Sequence, residues 1–290
     1  MVWPRYLLFF TSGICTLFFT LSMGDITNGI KRHRDSHYNI SAEKQEGAHM
    51  TNQKTSIKLT ILYDNYVSTP GTISEWGFSC LIEGTEKTIL FDTGTKSDIL
   101  MNNIKILKVD LKKVDQIVLS HQHQDHTGGL WEVLKQNNKV SVYVPKSFTE
   151  TFCNRVEKNG AKLIKVNQPL EICEDCYLTG EMGTEIKEQS LILDTKRGLV
   201  IITGCSHPGI VNILKQAKEI IDKDIYLVTG GFHLLNHSPN EIDKIIRQFK
   251  ELKIQKVGPT HCTGDNAINL FRKAYEKNFI KIGTGKVITL

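Results

Sequence analysis

His121, His123, Asp125 and His126 place three imidazoles and one carboxylate within six positions of a 290-residue chain. They follow the apolar run Gln116-Ile117-Val118-Leu119-Ser120, which has the composition of a buried strand ending at Ser120. The segment is therefore expected to be a loop at the carboxyl end of that strand, with Thr127-Gly128-Gly129-Leu130 opening the next helix. Such a loop can aim His121 and His123 at one cation and Asp125 and His126 at a second. Imidazole suits zinc, iron and other transition metals, and a carboxylate extends the range toward manganese. An isolated histidine is usually an ordinary surface or core residue. Three in six, with an aspartate among them and a core strand before them, are not a nonspecific histidine tract.

The elements that must position these groups alternate along the chain. Residues 57–63, 77–82, 87–91, 140–144, 190–194, 199–203, 225–229 and 256–258 carry strand patterns. Two hairpins are expected, one about Glu83-Gly84-Thr85-Glu86 and one about Lys196-Arg197-Gly198. Residues 97–107, 147–158, 210–221, 241–252 and 267–277 have helical character, and Asn159-Gly160 ends the second of them. Periodicity alone says only mixed α and β. Asp92, His207, His233 and His261 each follow a strand, as the His121–His126 group does. In layered α/β folds sites gather at the carboxyl ends of strands, so these distant residues can converge on one edge. Helices starting near Pro208-Gly209 and Asp265 would turn free amides toward that edge, a place for phosphate or carboxylate.

Composition is that of an ordinary globular enzyme, 40% hydrophobic and 23% charged. A net charge of +5, with no basic stripe interleaved with aromatics, argues against nucleic acid as a partner and is compatible with a small anionic substrate. Seven cysteines, an odd number, are not a disulfide framework. Cys173 and Cys176 form the one close pair, read as two thiols on a short hairpin. Residues 1–24 read as a secretory signal or short membrane anchor, and 25–56 as a flexible polar linker ahead of a domain over 57–290. A signal would make the protein secreted, periplasmic or membrane-anchored; without one it is cytoplasmic. Any membrane contact would run through that segment.

His-x-His-x-Asp-His after a strand resembles the signature of the metallo-β-lactamase fold superfamily. Thr88-Ile89-Leu90-Phe91-Asp92-Thr93-Gly94 resembles its first motif. Cys205-Ser206-His207-Pro208-Gly209, Gly230-Gly231-Phe232-His233 and Thr260-His261-Cys262-Thr263-Gly264 resemble one branch in particular. Its members are called dihydropterin–ribofuranosyl-aminobenzene phosphate synthases or, more simply, metal-dependent hydrolases of the β-lactamase type. The resemblance runs from about Ile57 to the C-terminus. It implies an α+β fold, an αββα sandwich of the metallo-β-lactamase type.

The resemblance also implies two ligand sets: His121, His123 and His207 for a first metal, and Asp125, His126 and His261 for a second. Many relatives bridge the two metals with an aspartate where this chain has Cys205. Either Cys205 bridges as a thiolate, or the bridge is lost and His207 supplies the ligand. His233 is a candidate metal or substrate contact, and Asp92 an orienting partner of a bound imidazole. Asp125 is the candidate catalytic group, holding a water as well as metal. Asp64, Asn65 and Trp76 are expected along the substrate cleft, and related sequences often carry histidine at the position of Trp76.

The leading expectation is thus a metal-dependent hydrolase or phosphate-ester-handling transferase acting on a small molecule, the synthase being its narrower form. It would use one or two divalent metals, zinc first, manganese or iron as alternatives. A di-iron redox protein on the same fold and a non-catalytic metal-binding or sensor module are the other readings. Nothing in the residues sets an oligomeric state.

Overall fold

The computed structural model describes residues 56–290. The signal or anchor expected over 1–24, and all but the last residue of the linker expected over 25–56, lie outside the described residues. Among the described residues no helix is long and apolar enough to cross a membrane.

Two sheets carry the fold. The first holds β1 (Lys58–Tyr63), β2 (Ser79–Glu83), β3 (Ile89–Phe91), β4 (Gln116–Val118), β5 (Ser141–Pro145), β6 (Lys162–Val166) and the C-terminal β13 (Val287–Thr289), in the order β13-β1-β2-β3-β4-β5-β6. The second holds β7 (Leu170–Cys173), β8 (Cys176–Leu178), β9 (Leu191–Thr195), β10 (Gly198–Thr203), β11 (Ile225–Gly231) and β12 (Lys256–Thr260), in the order β12-β11-β10-β9-β8-β7. Each sheet contains antiparallel hairpins and a parallel portion. The parallel portions are β3 to β6 and β10 to β12. The helices are α1 (Ser97–Ile106), α2 (Gln124–Thr127), α3 (Leu130–Gln136), α4 (Glu150–Lys158), α5 (Ile210–Ile220), α6 (Pro239–Glu251) and α7 (Asp265–Tyr275).

The alternation of strand side chains sorts the core into three layers. Leu59, Ile61 and Phe91 face across to Leu191, Leu193, Val200 and Ile202 between the sheets. Their neighbours Leu62 and Leu90 point the other way, against Leu100, Ile104 and Leu134 of α1 and α3. Leu199 and Ile201 likewise leave the inter-sheet layer and meet Ile213, Leu214 and Phe249 of α5 and α6. Strands buried on both faces are why the sequence shows continuous apolar runs rather than clean alternation. The result is the αββα sandwich.

Several boundaries differ from the sequence reading for local reasons. The helix expected from 147 starts at Glu150, because the Thr149 side chain accepts from the Phe152 amide as its N-cap. The helix expected from 241 starts at Pro239, behind a Ser238–Glu241 capping box. The ligand-bearing segment is not all loop: His123 is the N-cap of α2, which carries Asp125 and His126 in a single turn. Strands β6 and β13 lie beyond the expected set, and the hairpin expected about Cys173 and Cys176 is β7–β8. All six cysteines among the described residues are free, and Cys173 faces Cys176 across the β7–β8 turn.

The third layer rests on an aromatic triad. Phe249 is fully buried, with ring centroids 5.6 Å from Phe232 and 5.1 Å from Phe271. Phe249→Ala should destabilise the protein by about 3–5 kcal/mol. Urea unfolding followed by circular dichroism checks this, and a loss below about 1 kcal/mol would contradict the packing described.

Candidate metal site

The strands that point the same way deliver their next residues to one edge. Asp92 follows β3, His121 follows β4, Cys205 and His207 follow β10, His233 follows β11 and His261 follows β12. Four of these turns place a non-glycine residue in the left-handed region: Asp92 at φ 54, Ser206 at 68, His233 at 55 and His261 at 46. The two sheets approach closely here. A Cβ on Gly204 would lie 2.1 Å from Ser120 Oγ, so only glycine lets β10 end beside β4.

Each central imidazole is tied from outside. His126 Nδ1 donates to Asp92 Oδ2 at 2.7 Å, and His121 Nδ1 to Ser120 Oγ at 2.9 Å. Ser120 Oγ in turn donates to Asp92 Oδ2 at 2.7 Å. His207 Nδ1 donates to Glu188 Oε2, and His261 Nδ1 to Asn65 Oδ1, both at 2.9 Å. With Nδ1 carrying a proton outward, all four rings turn Nε2 inward, where a lone pair or a second proton sits. The inward atoms crowd together. His121 Nε2 lies 3.1 Å from His123 Nδ1, and Cys205 Sγ lies 3.2 Å from His126 Nε2 and 3.4 Å from His261 Nε2. Asp125 Oδ2 is 3.5 Å from His126 Nε2 and 3.4 Å from His261 Nε2.

Two of the donor groups that result overlap the expected ligand sets, and neither is identical to one: both include Cys205, and the one about His121 and His207 leaves out His123, whose Nδ1 meets His121 Nε2. Donor atoms of Asp125, His126, Cys205 and His261 all lie within 4.8 Å of one another, as do those of His121, Cys205 and His207. Cys205 belongs to both, where relatives are expected to carry a bridging aspartate. A third group joins Cys205 to His233 and Cys262 by the same distance limit. Lone pairs facing each other this closely repel unless a proton or a cation sits between them. The charge balance of the metal-free protein says the same. Burial opposes a charge on His126, but Asp92 and Asp125 outweigh it and raise its pKa to about 10. Burial would raise Asp125, but hydrogen bonds from His126 and His261 outweigh it and hold its carboxyl far below the usual range. Burial, then His126, pushes His121 well down, so its nitrogen stays free. A proton stands where a cation fits, and the donor set of nitrogen, sulfur and carboxylate oxygen suits zinc.

The remaining sequence-predicted residues fall as follows. His233 is exposed, its ring centroid 4.5 Å from that of His207. Asn65 is brought to the site as the partner of His261: its side chain also donates to the His261 carbonyl at 3.0 Å. Asp64, expected in the cleft wall, is fully buried instead. It accepts from the Thr260 hydroxyl at 2.7 Å and the Tyr66 amide at 3.0 Å, so it supports the turn that carries His261. Trp76 stands at the site, half-exposed, with its indole N–H on Asp125 Oδ2 at 2.9 Å. Glu188 was not anticipated. It is buried and accepts from the amides of Cys205, Ser206 and His207 as well as from the His207 ring. Burial works against its charge, but these donors and His121 prevail and hold it below the usual carboxylate range. A single glutamate in a loop offers no spacing signal; Ser120, at the end of the expected strand, was equally silent.

Asp64 gives the region a pH signature. Burial pushes its carboxyl up to about 7, against the lowering effect of Thr260 and Tyr66. The unfolded value is about 3.9, so the folded state holds the extra proton between the two and stability falls as pH rises through that window. Asp64→Asn should therefore gain stability relative to the wild type from about pH 4 to about 7 and level off above. Urea unfolding of metal-stripped protein across this range checks it, and a difference independent of pH would contradict it.

Comparison with known proteins agrees with this geometry. Residues 77–267 match the family model of the metallo-beta-lactamase superfamily. The 7,8-dihydropterin-6-methyl-4-(beta-D-ribofuranosyl)-aminobenzene-5'-phosphate synthase of Methanocaldococcus jannaschii is 31% identical over 284 residues, covering 80% of this chain and 96% of that protein. The crystal structure of a metal-dependent hydrolase of the beta-lactamase superfamily superposes with a TM-score of 0.68 at 31% identity, covering 81% of this chain and 99% of that one. YhfI from Bacillus subtilis, at 18% identity and a TM-score of 0.60 over 80% of this chain and 99% of its own, shares the fold. The chain belongs to the metallo-β-lactamase superfamily.

Proposed function

We propose that the protein is a metal-dependent hydrolase or phosphate-ester-handling transferase acting on a small anionic molecule through a pair of cations, zinc first. The observation that carries this reading is the set of inward Nε2 atoms of His121, His126, His207 and His261, each with its Nδ1 tied outward, gathered about Cys205. His121, His123 and His207 would hold the first cation and Asp125, His126 and His261 the second, with Cys205, which belongs to both donor groups, available to either. Burial keeps the Cys205 thiol well above its ordinary pKa, and a coordinating cation would remove that proton. The cations would supply Lewis acidity toward an ester or phosphoryl oxygen and make a water acidic near neutral pH.

The protein's own residues do the rest. Glu188, Asn65 and Asp92 keep the rings in the inward tautomer, so the site is organised before any substrate arrives. Asp125 is the carboxylate available to hold a reacting water. A cavity of about 240 Å³ opens beside His123, lined by Gln122, Ser147, Phe148, Glu185, Ile186 and Lys187, a size for one arm of a small molecule. A larger cavity of about 310 Å³, bordered by Ile57, Lys196 and Arg197, contains none of these donors, so size does not select the site. Helix α5 starts at Ile210, three residues past His207, with no side-chain cap, leaving its first amides for an anion. Glu188 is occupied by three amides and His207. The later donors are therefore sulfur and nitrogen, a softer set than a di-iron carboxylate centre would use. The synthase relative makes phosphorylated pterin precursors the first substrates to assay; phosphodiesters and lactones, general substrates for a metal-dependent hydrolase, come next.

Elemental analysis of protein purified without added metal should find two equivalents of zinc, and one of these substrate classes should turn over. His121→Ala should lower both metal content and turnover, turnover by more than about 100-fold, since even outer partners of ligands cost about 10–100-fold. Wild-type protein that takes up no metal after zinc, manganese and iron are added back would sink the enzyme reading.

A further inference from the structure

Trp76 sits where its chemistry touches one half of the site only. Its indole N–H donates to Asp125 Oδ2 at 2.9 Å, and its ring centroid lies 5.0 Å from that of His261. Asp125 and His261 belong to the same donor group, with His126 and Cys205. Among the described residues, Trp76 makes no such contact with His121, His123 or His207. The backbone explains how the indole is held. Phe78 N donates to the Asp125 carbonyl at 3.2 Å. A Cβ on Gly77, at φ +142, would lie 2.6 Å from that same oxygen, so the chain can pass this close only as glycine. The Trp76 amide donates to Glu75 Oε1 at 2.9 Å, and its carbonyl accepts from the Thr95 hydroxyl. The residue is anchored on both sides of its Cα, and its ring leans over Asp125.

We infer that Trp76 is a positioning residue for the second cation: its N–H fixes Asp125 as a one-oxygen donor and so sets the affinity of that position more than that of the first. The reasoning is local. An ionised carboxylate accepts only, with about four lone-pair directions on two oxygens. Oδ2 faces His126, His261 and the indole together. The indole occupies one of its directions and leaves another toward the donor group. Without that N–H, the Oδ2 partners among the described residues are the two rings whose nitrogens the cation needs. Asp125 then loses the pre-set geometry that makes outer partners worth about 10–100-fold in metal affinity. A chain with histidine at this position keeps a ring N–H donor; a chain with phenylalanine does not.

This inference rests on the two-cation reading, and the test separates them. Zinc binding is measured by chelator competition on the full chain for the wild type, Trp76→Phe and Trp76→His. Phenylalanine keeps the aromatic contact with His261 and removes only the donor; histidine restores a donor. The expected result is two zinc equivalents in the wild type. In Trp76→Phe the second should weaken by about 10–100-fold with the first much less affected, and Trp76→His should recover most of the loss. The thermal midpoint of the metal-free forms should stay together, because the side chain is 44% exposed. A wild type with fewer than two equivalents overturns both readings. Two equivalents bound alike by wild type and Trp76→Phe overturn this inference alone, as does a loss shared equally by both positions.

Discussion

Asp92 accepts three hydrogen bonds at 2.7 Å, from the Ser120 amide, the Ser120 hydroxyl and His126 Nδ1, while fully buried. One carboxylate thereby joins the end of β3 to the end of β4 and to the single helical turn that carries Asp125 and His126. The same hydroxyl takes His121 Nδ1. Two central imidazoles on this half of the site thus take their tautomer from one anion at the end of a strand. A buried carboxylate is stable only when its lone pairs are filled, so the requirement runs both ways: the site needs Asp92, and Asp92 needs the site. Glu188 plays the matching part on the other sheet, where it gathers three successive amides and His207.

Those two anchors are bought with backbone strain. Asp92, Ser206, His233 and His261 occupy left-handed backbone conformations, each costing on the order of 1–3 kcal/mol for a non-glycine residue. Parallel strands running into one edge leave little room to turn, and the tight turns are what bring Cys205, His207 and His261 to face His121 and His126. The thick apolar layers on both faces of each sheet supply the stability that holds such turns in place. The strain lies where the donors lie.

The sequence made the ligand group legible because its residues are adjacent and follow an apolar strand. The strand-end position of Asp92, His207, His233 and His261 was legible for the same reason. Glu188 was not, since its role depends on the β8–β9 connection folding under β10, a tertiary event with no local pattern. Asp64 and Asn65 are consecutive polar residues past a strand, which reads equally as a cleft wall or as a turn support. Only the hydrogen bonds to Thr260 and His261 separate the two meanings. The turn of helix at Gln124–Thr127 is too short for periodicity to reveal. Edge strands β6 and β13 are part-exposed and mixed in character, so nothing in their composition sets them apart from loop.

The proposed function turns on Cys205, the one residue common to the donor groups about His121 and about His126. X-ray absorption at the zinc edge, on protein loaded with two equivalents, tests it most directly. The account predicts sulfur scattering at about 2.3 Å from a shell otherwise of nitrogen and oxygen. It also predicts loss of the sulfur contribution in Cys205→Ser. A wild-type spectrum with nitrogen and oxygen alone, or a sulfur signal that survives Cys205→Ser, would contradict it.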